Sequence, residues 1–142
     1  MTHASTGSAM QAYRSVGVYS GVEAADPRQL IQLLLDGAVG AVQAAGAHLA
    51  RRDMPAKAQE LSRAVKIVDA LRASLDLERG GDVAANLERL YDYIERQLTL
   101  ANARNDGELM VESIGLLAQV RDAWVTVVDQ APPAAVATQG AG

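Results

Sequence analysis

A chain of 142 residues and 14.9 kDa accommodates one ordinary domain and leaves little room for a second with a core of its own. Hydrophobic residues make up 49% of it, yet aromatics only 4% and phenylalanine is absent, so the apolar content is aliphatic, weighted to alanine and suited to helices. Thirteen Lys and Arg interleave with seventeen Asp and Glu for a net charge of -4, which argues against the basic stripe of a nucleic-acid binder, and the lack of cysteine excludes disulfide frameworks, thiolate catalysis and Cys-based zinc sites.

The first residues, Met1 to Met10, carry neither a charged leader nor an apolar export segment, and no apolar run reaches about 18 residues. Leu30 to Leu35 is interrupted by Gln32 and followed by Asp36. A cytoplasmic, unprocessed protein in a reducing compartment is therefore expected. Residues 1–25 lack helical patterning but hold Tyr13 and Tyr19; they are expected to form an extended or short-helical leader packed on the helical region.

Four segments then carry helical periodicity. Asp26 is a candidate cap, Pro27 suits the first helical position, and Gln29 completes a capping box. From there Ile31, Leu35, Ala38, Val42, Ala45 and Leu49 recur at spacings of four and three until Arg51-Arg52-Asp53 and Pro55. The second helix is predicted from about Pro55 to Arg79, with Leu61, Ala64, Val68, Leu71 and Leu75 as its seam and Gly80-Gly81 as its C-cap. Asp82 is the expected N-cap of the third, whose seam is Leu87, Tyr91, Ile94, Leu98 and Ala101. After Asn105-Asp106-Gly107, a capping box of Asn105 with Glu108 opens the fourth, which carries Met110, Ser113, Leu117, Val120, Trp124 and Val127 and stops before Pro132-Pro133.

Helices of roughly 22 to 25 residues span about 35 Å each. Matched lengths and short connections predict an all-α protein, an antiparallel up-down-up-down four-helix bundle over residues 26–130. Residues 131–142, rich in Ala, Pro and Gly, read as a disordered tail.

Catalytic constellations are scarce. Neither histidine, His3 or His48, has a glutamate three residues before it, as a di-iron bundle would need. No P-loop, dinucleotide fingerprint or Gly-x-Ser-x-Gly elbow occurs. No cofactor and no metal are expected. One relay reading survives: His48 has Arg51 and Arg52 three and four residues on, a face that could carry phosphate, although the same trio suits the negative end of a helix dipole and the His-x-Leu-Lys-Gly pattern of phosphotransfer domains is missing.

Binding is better supported. Apolar residues beyond the seams, Leu30, Leu33 and Leu34, Ile67, Leu90, Tyr93 and Leu100, with Leu116 and Val125, either widen the core or line grooves for amphipathic partner helices. Gly37, Gly40, Ala41, Ala44, Ala45, Gly46 and Ala47 either let another backbone approach or reflect an alanine-rich composition. Tyr13 either staples the leader or occupies a partner's groove until displaced.

The residues match a known pattern. In order and at similar spacing stand Ala12-Tyr13, Ala25-Asp26-Pro27 with Gln29-Leu30-Ile31, Leu35-Asp36-Gly37-Ala38, Leu75-Asp76, Arg79-Gly80-Gly81 and Asn86-Leu87, and then Leu90-Tyr91-Asp92-Tyr93, Ala101-Asn102, Arg104-Asn105-Asp106, Leu116-Leu117 and Ala123-Trp124. From about Ala9 to Trp124 the chain resembles the flagellin-specific secretion chaperones of the FliS family. Leu35 departs from the pattern where the family usually has an aromatic, and Tyr19 matches no strong family position.

The resemblance implies an antiparallel helical bundle, not an enzyme, that holds the disordered C-terminal segment of flagellin, 1:1, in hydrophobic grooves, hinders premature polymerisation and helps present cargo to the export gate. It also implies that some members bind other flagellar regulators and that the leader bearing Tyr13, with Met10 a step before it, lies over the cargo surface when cargo is absent. A histidine phosphotransfer bundle using His48 and a helical adaptor for another amphipathic partner are the alternatives. The expected partner-binding residues are Met10, Tyr13, Leu30, Leu33, Leu34, Ile67, Leu90, Tyr93 and Leu100.

Overall fold

The structure, a computed structural model, describes residues 27–130, with side-chain surroundings as far as residue 126. Asp26, the leader with Met10 and Tyr13, and the tail 131–142 lie outside the described residues. Four helices succeed one another: α1 (Pro27–Ala50), α2 (Met54–Ala73), α3 (Gly81–Arg104) and α4 (Gly107–Gln130). No strand occurs among the described residues.

Each helix packs on two neighbours, α1 on α2 and α4, and α3 on α2 and α4. Side-chain bonds place opposite ends together. Lys57, at the start of α2, reaches Asn102 and Asn105 at the end of α3, and Trp124, late in α4, reaches Arg28 at the start of α1. The arrangement is the expected antiparallel four-helix bundle. The seams meet inside it: Leu35, Ala38, Val42 and Ala45 from α1, Leu61, Ala64, Val68 and Leu71 from α2, Tyr91, Ile94, Leu98 and Ala101 from α3, and Met110, Ser113 and Leu117 from α4 are buried. Each buried leucine or isoleucine contributes about 1.5–3 kcal/mol relative to exposure. By length and composition α1 could cross a membrane, at a mean hydropathy of 1.4, and its apolar residues are those that build this core.

The turns depart from expectation in three places. Helix α2 stops at Ala73, six residues before Arg79, because the Ser74 hydroxyl donates back to the Leu71 carbonyl at 2.7 Å. Residues 74–80 then form a turn closed by Asp76, whose side chain accepts from the Arg79 N–H and whose carbonyl accepts from the Gly80 N–H. A Cβ on Gly80 would stand 2.5 Å from that of Ala84 and 2.7 Å from the Asp76 carbonyl oxygen, so only glycine fits. The left-handed residue is Gly81 (φ 57°), which begins α3 instead of ending α2, and Asp82 sits within the first turn of α3 instead of capping it.

At the opposite end the caps fall on residues the spacing did not single out. Arg52 (φ 61°) ends α1: its N–H donates to the Leu49 carbonyl, and the Asp53 N–H to that of His48, the bonding of a Schellman motif. Asp53 also caps α2 by accepting from the Ala56 N–H. Asn105 (φ 53°) ends α3, with the Asp106 N–H bonded to the Ala101 carbonyl, so α4 is capped by Asp106, whose side chain accepts from Glu108 and Leu109. Asn105 cannot serve as that cap because its own side chain is taken by Lys57. Lys57, only 4% exposed, donates at 3.0 Å to the Asn102 carbonyl, at 2.7 Å to Asn102 Oδ1 and at 2.6 Å to Asn105 Oδ1, which uses all three ammonium hydrogens. Within the helices, a Cβ at Gly40, Gly46 or Gly115 would meet nothing within 4 Å.

Candidate functional site

Of the expected binding residues, Leu30, Leu34 and Ile67 are at most 1% exposed and sit in the core of the described residues, a placement with a plain physical cause. Leu30, Ile31, Leu33, Leu34 and Leu35 put five aliphatics into six positions, so periodicity cannot tell the inner face of α1 from the outer. Ile67 beside Val68 poses the same ambiguity, and both are buried. Leu33 and Leu90 are half-buried against the core, as is Leu116. Tyr93 and Leu100 are brought together.

They line an open groove of about 570 Å³ along the outer side of α3, with Val65 of α2 and with Asp92, Glu95, Arg96, Gln97, Thr99 and Ala103 of α3. Leu90, Tyr93, Gln97 and Leu100 recur at spacings of three, four and three, a second stripe displaced by one residue from the core seam. At its middle Glu112 of α4 accepts from the Tyr93 hydroxyl at 2.8 Å and from Gln97 Nε2 at 2.9 Å. The bond to Glu112 raises the pKa of the Tyr93 phenol above its ordinary value. The phenol hydroxyl is thereby held at the groove edge.

The α2 side of this region is charged. Arg72 Nη2 stands 2.7 Å from Glu88 Oε2, and Arg72 Nη1 stands 3.3 Å from Glu95 Oε1 and 3.7 Å from Asp92 Oδ1. Asp92 Oδ2 is 2.8 Å from Arg96 Nη2. The bond to Glu88 is the main cause of the raised pKa of Arg72. Burial first, and then Asp69, push the Glu95 carboxyl upward against the opposing pull of Arg72.

Sequence reasoning missed Val65, which stands one position beyond the seam residue Ala64. It also missed a second open groove, of about 660 Å³, lined by Gly46, Leu49 and Ala50 of α1, by Arg104 to Gly107, and by Glu108 and Val111 of α4. Val111 there is 69% exposed. Its signal was Gly107 four residues earlier, which leaves that side of the first turn bare. Leu77 and Val83 are exposed at the α2–α3 turn.

His48 lies in the last turn of α1, and its Nδ1 stands 2.9 Å from Arg51 Nη2. The guanidinium can only donate, so Nδ1 is the acceptor of a local contact at the helix end. Among the described residues no group of three His, Asp or Glu could hold a metal ion.

Comparison with known proteins supplies the family. Residues 9–131 match the family model described as "Flagellar protein FliS". The chain is 44% identical to the flagellar secretion chaperone FliS of Salmonella typhimurium, over 89% of its own length and 94% of that protein. It is 36% identical to FliS of Vibrio cholerae, over 87% and 88%, and 39% identical to FliSB of Pseudomonas aeruginosa, over 82% and 92%.

Proposed function

The chain belongs to the FliS family of flagellar secretion chaperones, and from that premise we propose that it is a cytoplasmic, non-enzymatic chaperone that binds the C-terminal segment of flagellin 1:1. Holding that segment hinders premature polymerisation, and the complex is the form handed to the export gate. The observation that carries the reading is the groove along α3. Tyr93 and Leu100 are seven residues apart on one helix face, which matches the repeat of an amphipathic helix lying along it. Leu90, half-buried on the same stripe of α3, extends this apolar surface, Leu33 offers a separate half-buried apolar position on α1, and Met10 and Tyr13 of the leader compete with cargo or close over it. Leu30, Leu34 and Ile67 act from beneath, by keeping the helices in place.

Titration calorimetry with the C-terminal segment of the flagellin encoded in the same genome tests this. A 1:1 complex with a negative heat-capacity change is expected, since coupled folding buries apolar surface. Leu100→Ser should weaken it. No heat and no complex at concentrations of about 100 μM, where binding worth roughly 5–6 kcal/mol is visible, would refute it.

A further inference from the structure

The apolar floor of the α3 groove, Val65, Tyr93, Leu100 and Ala103, would accept any amphipathic helix, but its wall would not. Asp92 and Glu95 line it with Arg96; Asp69 and Asp92 both act on Glu95, Glu88 joins Asp92 and Glu95 on Arg72, and among the described residues the ion pairs of this cluster run to Arg72 and Arg96. Arg72 is shared three ways, and Arg96 is committed to Asp92 four residues earlier on the same helix. Glu95 Oε2 is buried and has no hydrogen-bond partner, which leaves a carboxylate oxygen with unmet demand for a donor. The rise in the Glu95 pKa, caused by burial and by Asp69, has the same sense.

We propose that this groove selects a cationic partner: an amphipathic helix whose apolar stripe covers Tyr93 and Leu100 and whose edge nearest α2 carries a lysine or arginine that pairs with Asp92 and Glu95. The proposal rests on the groove being a docking site, as the chaperone reading has it, and adds the chemistry by which one helix is preferred to another. A cation entering the cluster joins the sharing of Arg72 and lets the Glu95 side chain turn its second oxygen to a donor. An acidic edge in the same place meets uncompensated carboxylates, and like charges brought together at an interface are what excludes wrong partners.

The test uses the full chain and two designed peptides of about 20 residues, long enough to be helical when bound, with the same leucine face but flanked by lysines in one and by glutamates in the other. Binding is monitored through the amide signals of Val65, Tyr93, Leu100 and Ala103. The lysine-flanked peptide is expected to bind about tenfold more tightly, and the ratio to shrink as salt rises from about 0.05 to 0.5 M. Because the protein as a whole is negative at -4, the ratio must also fall in the double variant Asp92→Asn, Glu95→Gln, whose folding is checked by thermal melting. Equal affinities, a preference unchanged in that variant, or signals that shift elsewhere on the bundle would overturn the proposal; if the double variant does not fold, the single variant Asp92→Asn, which leaves Glu95 and its contact with Arg72 in place, is titrated instead and must show the same fall. The flagellin segment is titrated in parallel. If it fails to bind while the lysine preference holds, the flagellin reading falls and the charge selection stands; if it binds and no charge preference exists, the reverse is true.

Discussion

The indole Nε1–H of Trp124 donates to the backbone carbonyl of Arg28 at 2.8 Å, so the last third of α4 is tied to the first turn of α1 by the chain's single tryptophan. Trp124→Phe keeps most of the ring and removes the donor. It should lower unfolding free energy by about 1 kcal/mol, measured by denaturant titration. Hydrogen exchange should quicken in the first turns of α1 and leave the middle of α2 unchanged.

Arg52 and Asn105 share one left-handed backbone conformation and should respond oppositely to glycine. Among the described residues Arg52 makes only the backbone bonds of its turn, so Arg52→Gly relieves Cβ strain and should raise stability by about 0.5–1 kcal/mol. Asn105→Gly relieves the same strain but deprives buried Lys57 of its 2.6 Å acceptor, and a net loss of about 1 kcal/mol is expected. Equal signs in the two melts would show that the ammonium cluster contributes nothing.

Tyr91 is 3% exposed, and burial pushes its phenol from 10.0 up to about 12. Above pH 10 the unfolded chain loses this proton while the folded chain keeps it, so stability must fall from pH 10 and level off near pH 12. The loss attributable to this one group is about 2–3 kcal/mol. Tyr91→Phe should remove that part of the alkaline decline, read from unfolding curves at successive pH values.

Glu95 behaves unlike an ordinary paired carboxylate. Its proton affinity in the folded state is raised, chiefly by burial, so just above the usual carboxylate range the folded chain holds a proton that the unfolded chain has released. Stability from this group therefore falls as pH rises through that window. Glu95→Gln should flatten this component just above the usual carboxylate range and leave stability at neutral pH equal or higher, despite the lost contact with Arg72.

The bundle was legible because one seam per helix, spaced by threes and fours, has only one way to be buried. Leu35, Val42, Ile94, Leu98 and Leu117 lie where that spacing puts them. The ends were harder to read because several residues could cap equally well. Asp82, Asn105 and Gly81 all have capping chemistry, and distant contacts such as Lys57 on Asn105, or the local bond from Ser74 to Leu71, decide among them. The groove was legible through Tyr93 and Leu100, where an apolar residue interrupts a polar face. It was illegible at Leu30 and Leu34, where apolar residues stand side by side, and at Val65, whose role depends on which helix lies beside it.

Gly40, Gly46 and Gly115 stand inside helices with open space where a side chain would go. Alanine at each would raise the helical tendency by roughly 1 kcal/mol, so the protein operates below a stability its own backbone could reach. That shortfall falls on α1 and α4, two helices packed against each other. Helices that carry such glycines on their outer faces open locally more often than alanine versions of them would. The triple alanine protein would be a hardened version of this chain, in which any need for breathing along α1 and α4 during cargo exchange would show itself as a slower on-rate at undiminished final occupancy.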